Sequence, residues 1–285
     1  MPIESAGIET IVVDSVSPLQ SVIDEVVQLP TDVPSLFIDL EGIRLGRHAR
    51  ENLKFILESS VILKVLFDVR RDSDALFSHY GISVDGIRDV QLMELGTRKG
   101  PKDFLARLSK YVEKDSTISA AEKKTWELTK SNTRQLFDPT FGRRYAIFNE
   151  RPIQPMIVKY CAGDVTLLPD LFNTYNAKLC QPGKKFWELH VLEATKERIK
   201  LSQSPCFDEA SNTNARGPWD KASLEEAVNQ WNDDVLEDVL NGPGEFEDEN
   251  LDEMLWADIF DGPDDWEDDG PTSCRDIINN YDYDY

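Results

Sequence analysis

Asp39 and Glu41 stand one residue apart at the end of the apolar run 36-LFIDLEG-42. Residues two apart on a strand point to the same side, so this spacing brings two carboxylates together. Held in a partly desolvated place they repel, and one takes up a proton. A hard divalent cation removes that penalty, because such ions prefer oxygen ligands. Taken alone, the pair reads as two acids in a solvated loop just past a strand. Further acids stand in matching contexts. The segment 64-KVLFDVRRDSDALF-77 places Asp72 near the start of a helix that follows a buried strand. In 160-YCAGDVTLL-168, Tyr160 and Asp164 are four apart and share a helix face. Each has a plainer reading by itself: Asp72 as a first-turn acid favoured by the helix dipole, Tyr160 as a half-buried tyrosine whose hydroxyl caps a neighbour.

The elements that must position these residues alternate. The sequence predicts a strand at Thr10–Ser15, then a helix over 17–29 with Ser17 as its cap and Pro18 in its first turn. A second strand follows at 35–40, and then a helix whose apolar side carries Leu53, Phe55, Ile56 and Leu57. The run 62-ILKVLFD-68 reads as a strand covered on both faces, and 70–80 as a helix stopped by Gly81. A further strand is expected across 87-IRDVQLMEL-95, followed by a basic segment, a helix around 104–112 and another over 122–132. Residues 136–154 are loop-like, and 154–179 carry a helical pattern broken near Pro169. Strands alternating with helices predict an α/β layer fold.

In this order the acidic segments resemble the three motifs of the DEDD 3′–5′ exonuclease superfamily in its tyrosine-bearing form, typified by RNase D. The stretch FIDLEG is similar to the first motif, KVLFDVRRDSDAL to the second, and YCAGDVTLL to the third. The phrases DLEGIRLGRH and LFDPTFGRRYAIFNERP look closer to the eukaryotic branch related to Egalitarian. The resemblance spans Thr10 to Leu179 and implies an RNase H-like fold, a mixed sheet flanked by helices. It also implies removal of nucleotides from a 3′ end with two divalent cations, Mg²⁺ or Mn²⁺. By the resemblance, Asp39 bridges both ions, Glu41 and Asp164 hold the ion that activates water, and Asp72 helps hold the second. Tyr160 orients the attacking water, since a phenol is a poor base near neutral pH. The register from Lys64 selects Asp72 over Asp68 and Asp74, which are then surface or capping acids. His48, His79 and His190 have no pairing that suggests ligation.

Two departures stand out. Glu41 and Asp72 are only 31 positions apart, so a β-hairpin that relatives carry between these motifs is expected to be missing. That leaves the flank of the first acid-bearing strand open, and the N-terminal strand is a candidate to fill it. Relatives also carry a Gly-Gly pair where this chain has Arg143 and Arg144. Those two arginines, with Arg44 and Arg47, are candidate phosphate contacts; Arg50, Arg98, Lys99 and Lys102 are others. A solvated loop explains them as well.

Charge is unevenly spread over the 285 residues. Residues 201–285 hold 25 acidic against three basic side chains, whereas the first 200 hold 28 of each. A neutral body leaves room for a local basic patch and a nucleic-acid partner. Four cysteines without CxxC pairing argue against zinc or a disulfide framework, and no apolar run is long enough to span a bilayer. The chain is therefore expected to be intracellular, cytoplasmic or nuclear. The sequence places an exonuclease-like domain at 1–200 and an acidic, largely disordered tail at 201–285. Within that tail Leu224, Val228, Trp231, Val235 and Val239 recur at helical spacing, and 251–260 repeats the mixture. Such a segment either forms transient helices or docks on the body or on a protein partner. Two functions are consistent with these features: a metal-dependent 3′–5′ exonuclease acting on a single-stranded 3′ end of RNA or DNA, or a module of the same fold that binds nucleic acid or protein without turnover.

Overall fold

The run after Ile62 forms the central strand of a small parallel sheet. In the computed structural model, residues 9–13, 16–31, 33–41 and 50–241 are described. Strand β2, Lys64–Leu66, is buried along its whole length and lies between β1, Leu36–Phe37, and β3, Ile87–Asp89, in the order β1-β2-β3. Both pairings are parallel, with Phe37 opposite Val65 and Leu66 opposite Asp89. The expected mixed sheet is thus corrected to a three-stranded parallel one among the described residues. Parallel neighbours need crossover connections, and α2 (Arg50–Glu58) and α3 (Arg70–Tyr80) lie in them. Alternation along β2 serves two clusters: Val65 enters the main core, while Leu66 packs with Val69, Leu76, Ile82, Val84 and Ile87. Lys64 is buried with them, its ammonium donating to the carbonyls of Ile56 (2.9 Å) and Ser59 (2.6 Å) at the end of α2. Burial lowers its pKa to about 8.

Several expectations need correction. Residues 10–13 form no strand, and Ile11 and Val12 are exposed, so they pair with no sheet edge; Asp14 and Ser15 lie outside the described residues. Helix α1 (Val16–Val26) comes next, as the pattern predicts. Phe55 faces solvent at 63 % exposure, while Ile56 is buried. The strand expected across 87–95 ends at Asp89, whose carboxylate accepts from the Gln91 amide and caps α4, Val90–Thr97. Helix α4 is buried from Val90 to Gly96, Gln91 and Glu94 included, and so short a run does not distinguish a buried helix from a buried strand. Helix α3 ends at Gly81 with φ +63°, as expected.

Helices α5 (Leu108–Lys114) and α6 (Ala120–Arg134) come next, α6 opening on a capping box between Ser119 and Glu122. After two 3₁₀ turns at Pro139–Phe141 and Tyr145–Asn149, the long helical pattern divides into α7 (Pro155–Val165) and α8 (Leu168–Leu179) just before Pro169. Helix α9 spans Lys185–Ser202. The main core gathers Leu92, Met93 and Leu95 of α4, Leu171, Phe172 and Tyr175 of α8, and Trp187 and Val191 of α9.

The packed body does not stop at residue 200. Residues past α9 turn back over it: Phe104 and Arg216 form an antiparallel bridge, the Leu105 amide donates to the Ala215 carbonyl at 2.9 Å, and the Gly217 amide to the Asp103 carbonyl at 2.8 Å. Helix α10, Lys221–Asn241, then lays Val228 into the main core with Leu224, Ala227 and Trp231 against it. Trp219 meets Trp187 edge-on at 5.3 Å, and Trp231 meets Phe186 at 5.9 Å. The packed body thus continues past the expected boundary near 200, and the segment expected to be largely disordered packs against it as far as Trp231. A sparse apolar stripe at helical spacing outweighs the surrounding charge once a partner surface covers it. Residues 242–285, including the second amphipathic stretch, lie outside the described residues. No described helix is long and apolar enough to cross a membrane.

Candidate active site

All three strands run the same way, so their carboxyl ends share one rim, the usual place for a ligand in such sheets. Asp39 and Glu41 lie just beyond β1, Asp72 is in the first turn of α3 after β2, and Asp164 is on α7. One carboxylate oxygen from each of Asp39, Glu41 and Asp164 falls within 4.8 Å of the others, although 125 positions separate Asp39 from Asp164. Asp72 joins them electrostatically. The backbone of Leu40, the residue between the first two acids, acts on its carboxyl in favour of the charged form. Burial, and then the charges of Asp39, Asp68 and Glu41, hold its carboxyl well above the usual range. Burial also raises Asp39 to about 6, reinforced by Asp164 and opposed by Lys130.

These shifts have a chemical meaning. Carboxylates that repel one another and lie away from water retain protons until a cation arrives. Asp39 Oδ2 is buried and accepts no hydrogen bond among the described residues, an unsatisfied position that a cation would fill. An all-oxygen donor set suits Mg²⁺ or Mn²⁺, so the residues present fit the ions that the motifs imply. Cys161, one residue past Tyr160, has its thiol pushed up to about 12 by burial and by Glu41, Asp39 and Asp164, so it stays a protonated thiol beside the cluster.

Tyr160 lies on the same face of α7 as Asp164 and is buried. Its ring packs 5.2 Å from Phe137 and 6.4 Å from Phe148, both from the segment expected to be a loop. That segment is anchored by Asp138, which accepts from Arg134 at 2.7 Å and caps the first 3₁₀ turn through Thr140.

No family model matches the chain, and no curated protein matches it. Its structure is similar to crystal structures of Trypanosoma brucei RNase D. The GMP complex gives a TM-score of 0.48 at 20% identity, covering 62% of this chain and 50% of that one. A second crystal structure of that RNase D gives 0.46 at 21%, covering 62% and 57%. The complex with RNA U12 gives 0.44 at 20%, covering 62% and 55%. The chain thus spans about half the length of that protein. Likeness at this level bears on neither substrate nor activity.

Two side chains of the site carry no obvious mark in the sequence. Trp126 and Lys130, one turn apart on α6, both reach Asp164. The indole N–H of Trp126 donates to Oδ1 at 3.1 Å, and the Lys130 ammonium pairs with Oδ2. Their i, i+4 spacing is the available signal. A third device is the turn between β2 and α3, where Asp68 is more than the surface or capping acid expected. Asp68 adopts φ +56° and takes a bidentate grip from Arg70 (2.6 Å to each oxygen). The two arginines of the second motif also secure the C-terminal segment: Arg70 donates to the Asn214 carbonyl and Arg71 to that of Glu209.

Among the candidate phosphate contacts, Arg143 and Arg144 are exposed on the turn next to Tyr145, whose hydroxyl is pushed up by burial and by the charge of Asp138. Arg98 and Lys102 are not: Arg98 is paired to Glu94, and the Lys102 ammonium donates to the carbonyls of Leu95 and Arg98. Lys99 is exposed. Arg44, Arg47 and His48 lie outside the described residues, as does the side chain of Arg50.

Proposed function

We propose that this domain is a metal-dependent 3′–5′ exonuclease of the tyrosine-bearing DEDD type, with an RNase H-like core shortened at one flank, acting on a single-stranded 3′ end of nucleic acid. The observation that carries this reading is the meeting of Asp39, Glu41 and Asp164 oxygens within 4.8 Å, beside a buried Asp39 oxygen that has no partner among the described residues. The ordered motif resemblance adds the assignment of roles. Asp39, Glu41 and Asp164 would hold one divalent cation, with Asp72 contributing to a second next to Asp39. When bound, such ions stabilise the attacking and leaving oxygens of an in-line phosphoryl displacement.

The chain's own groups supply the rest. The capped start of α4 and the β2–α3 turn, both held by Asp89, place Asp72 in the first turn of α3 beside the Asp39–Glu41 pair. Tyr160, rigid in its aromatic surroundings, orients the attacking water through its hydroxyl. Arg143 and Arg144 offer exposed charge to backbone phosphates. The test is incubation of a 3′-unpaired oligonucleotide with Mn²⁺, wild type beside Asp39→Asn. A ladder of shortened products lost in the variant supports the enzyme.

A second reading, a module that binds without turnover, is favoured by one feature: Asp164 is already paired with the Lys130 ammonium. Inert lanes with retained, salt-sensitive oligonucleotide binding would select it.

A further inference from the structure

Both oxygens of Asp164 are already engaged. Oδ1 accepts from the Trp126 indole at 3.1 Å, and Oδ2 is held by the Lys130 ammonium. The ammonium also lies 4.4 Å from the centre of the Tyr160 ring and 5.8 Å from that of Trp126, so aromatic faces flank the ion pair. Lys130 is largely covered, with 19 % of its side chain exposed, and it acts electrostatically on Asp39 as well as Asp164. The lysine is thus seated against one of the three carboxylates that converge on one point, and its charge reaches a second.

We propose that Lys130 is the resident counter-ion of this acid cluster and that a divalent cation must displace it from Asp164 to bind. The inference rests on the proposed metal site and adds its regulation. A dication approaching the same carboxylates is repelled by the ammonium and finds Oδ2 taken, so the two positive groups exclude one another. Linkage makes the exclusion reciprocal: whatever tightens the lysine's seat weakens cation uptake, and cation uptake frees the lysine. Helix α6 then acts as a gate on the cluster, with Trp126 holding Asp164 in the orientation that presents Oδ2 to the lysine.

The test measures Mn²⁺ binding to the full chain by electron paramagnetic resonance of the free ion. Wild type is compared with Lys130→Met, which keeps length and removes charge, and with Lys130→Arg, which keeps charge. Asp39→Asn in each background subtracts ions held elsewhere, such as on the acidic C-terminal residues. Lys130→Met is expected to bind the Asp39-dependent ion about tenfold more tightly than wild type, and Lys130→Arg to stay near wild type. A second readout needs no titration: Mn²⁺ should raise the melting temperature of Lys130→Met more than that of wild type. Equal or weaker Asp39-dependent binding in Lys130→Met overturns the counter-ion role and leaves the metal site standing. Absence of Asp39-dependent binding in every folded variant overturns both.

Discussion

Asp89 and Arg198 are joined by a buried ion pair, Nη1 to Oδ2 at 2.8 Å, although 109 residues separate them in the chain. Asp89 ends β3 and also accepts from the amides of Asp68 (3.1 Å), Val69 (3.3 Å) and Gln91 (3.0 Å). One carboxylate therefore ties the β2–α3 turn to the start of α4, and Arg198 ties both to α9. Asp72 stands three residues after Val69, so its position inherits the anchorage.

Removing Arg198 leaves the fully buried Asp89 without its cation. Arg198→Met is expected to destabilise the fold by about 3–5 kcal/mol, since breaking one side of a buried pair strands the other charge. Urea unfolding followed by circular dichroism measures it.

The pH response of the metal-free protein follows from Asp39. Its carboxyl titrates at about 6 in the fold against 3.8 for the free side chain. Between those values the native state binds more protons than the unfolded chain, so this group's contribution to stability falls as pH rises through the window. Asp72, displaced in the same direction, adds to the trend, while Asp68, held at about 2 despite its burial, titrates below it. In EDTA, the melting temperature of wild type minus that of Asp39→Asn should decline from pH 4 to pH 6. A flat difference would contradict the crowding of these acids.

Gly217 fits where no side chain does. A Cβ there would stand 2.1 Å from the Lys102 carbonyl oxygen and 3.1 Å from Leu95 Cδ2. Gly217→Ala should cost about 1–3 kcal/mol by forcing the returning segment off the body, read as a lowered urea midpoint.

The docked segment carries part of the core. Trp219→Ala should cost about 3–5 kcal/mol, as for other buried aromatic truncations. A chain ended at Asn241 should melt cooperatively, and one ended at Ser202 should bind a hydrophobic dye and lose its cooperative transition.

Tyr160→Phe retains the ring contacts with Phe137 and Phe148 and removes only the hydroxyl. If that hydroxyl positions water, nucleolytic turnover falls about a hundredfold or more while the melting temperature holds. Single-turnover degradation of a labelled oligonucleotide supplies the rate.

The acids and the alternation of elements were legible because each is a local signal: a spacing of two, a spacing of four, an apolar run before a helix. Less legible was whatever depended on partners distant in sequence. The run at 90–95 buries Gln91 and Glu94 along with its apolar residues, so burial on every side left no periodic stripe to distinguish a helix from the strand expected there. Lys130 and Trp126 look like ordinary residues of a charged helix, and only the packing of α6 on α7 reveals their shared target. Arg98 and Lys102 sit in a segment whose composition advertises an exposed basic patch, yet both cap α4 with inward-facing cations. The helix at 221–241 was ambiguous for the opposite reason: its stripe was visible, and the surface that receives it was not.

The seating of Val228 and Trp219 in the main core imposes an order on biogenesis. A ribosome makes α4, α8 and α9 well before it makes the residues that roof them. Until α10 emerges, the nascent body exposes an apolar patch around Trp187 and Phe186. A pause in translation within that interval would prolong the exposure of this patch.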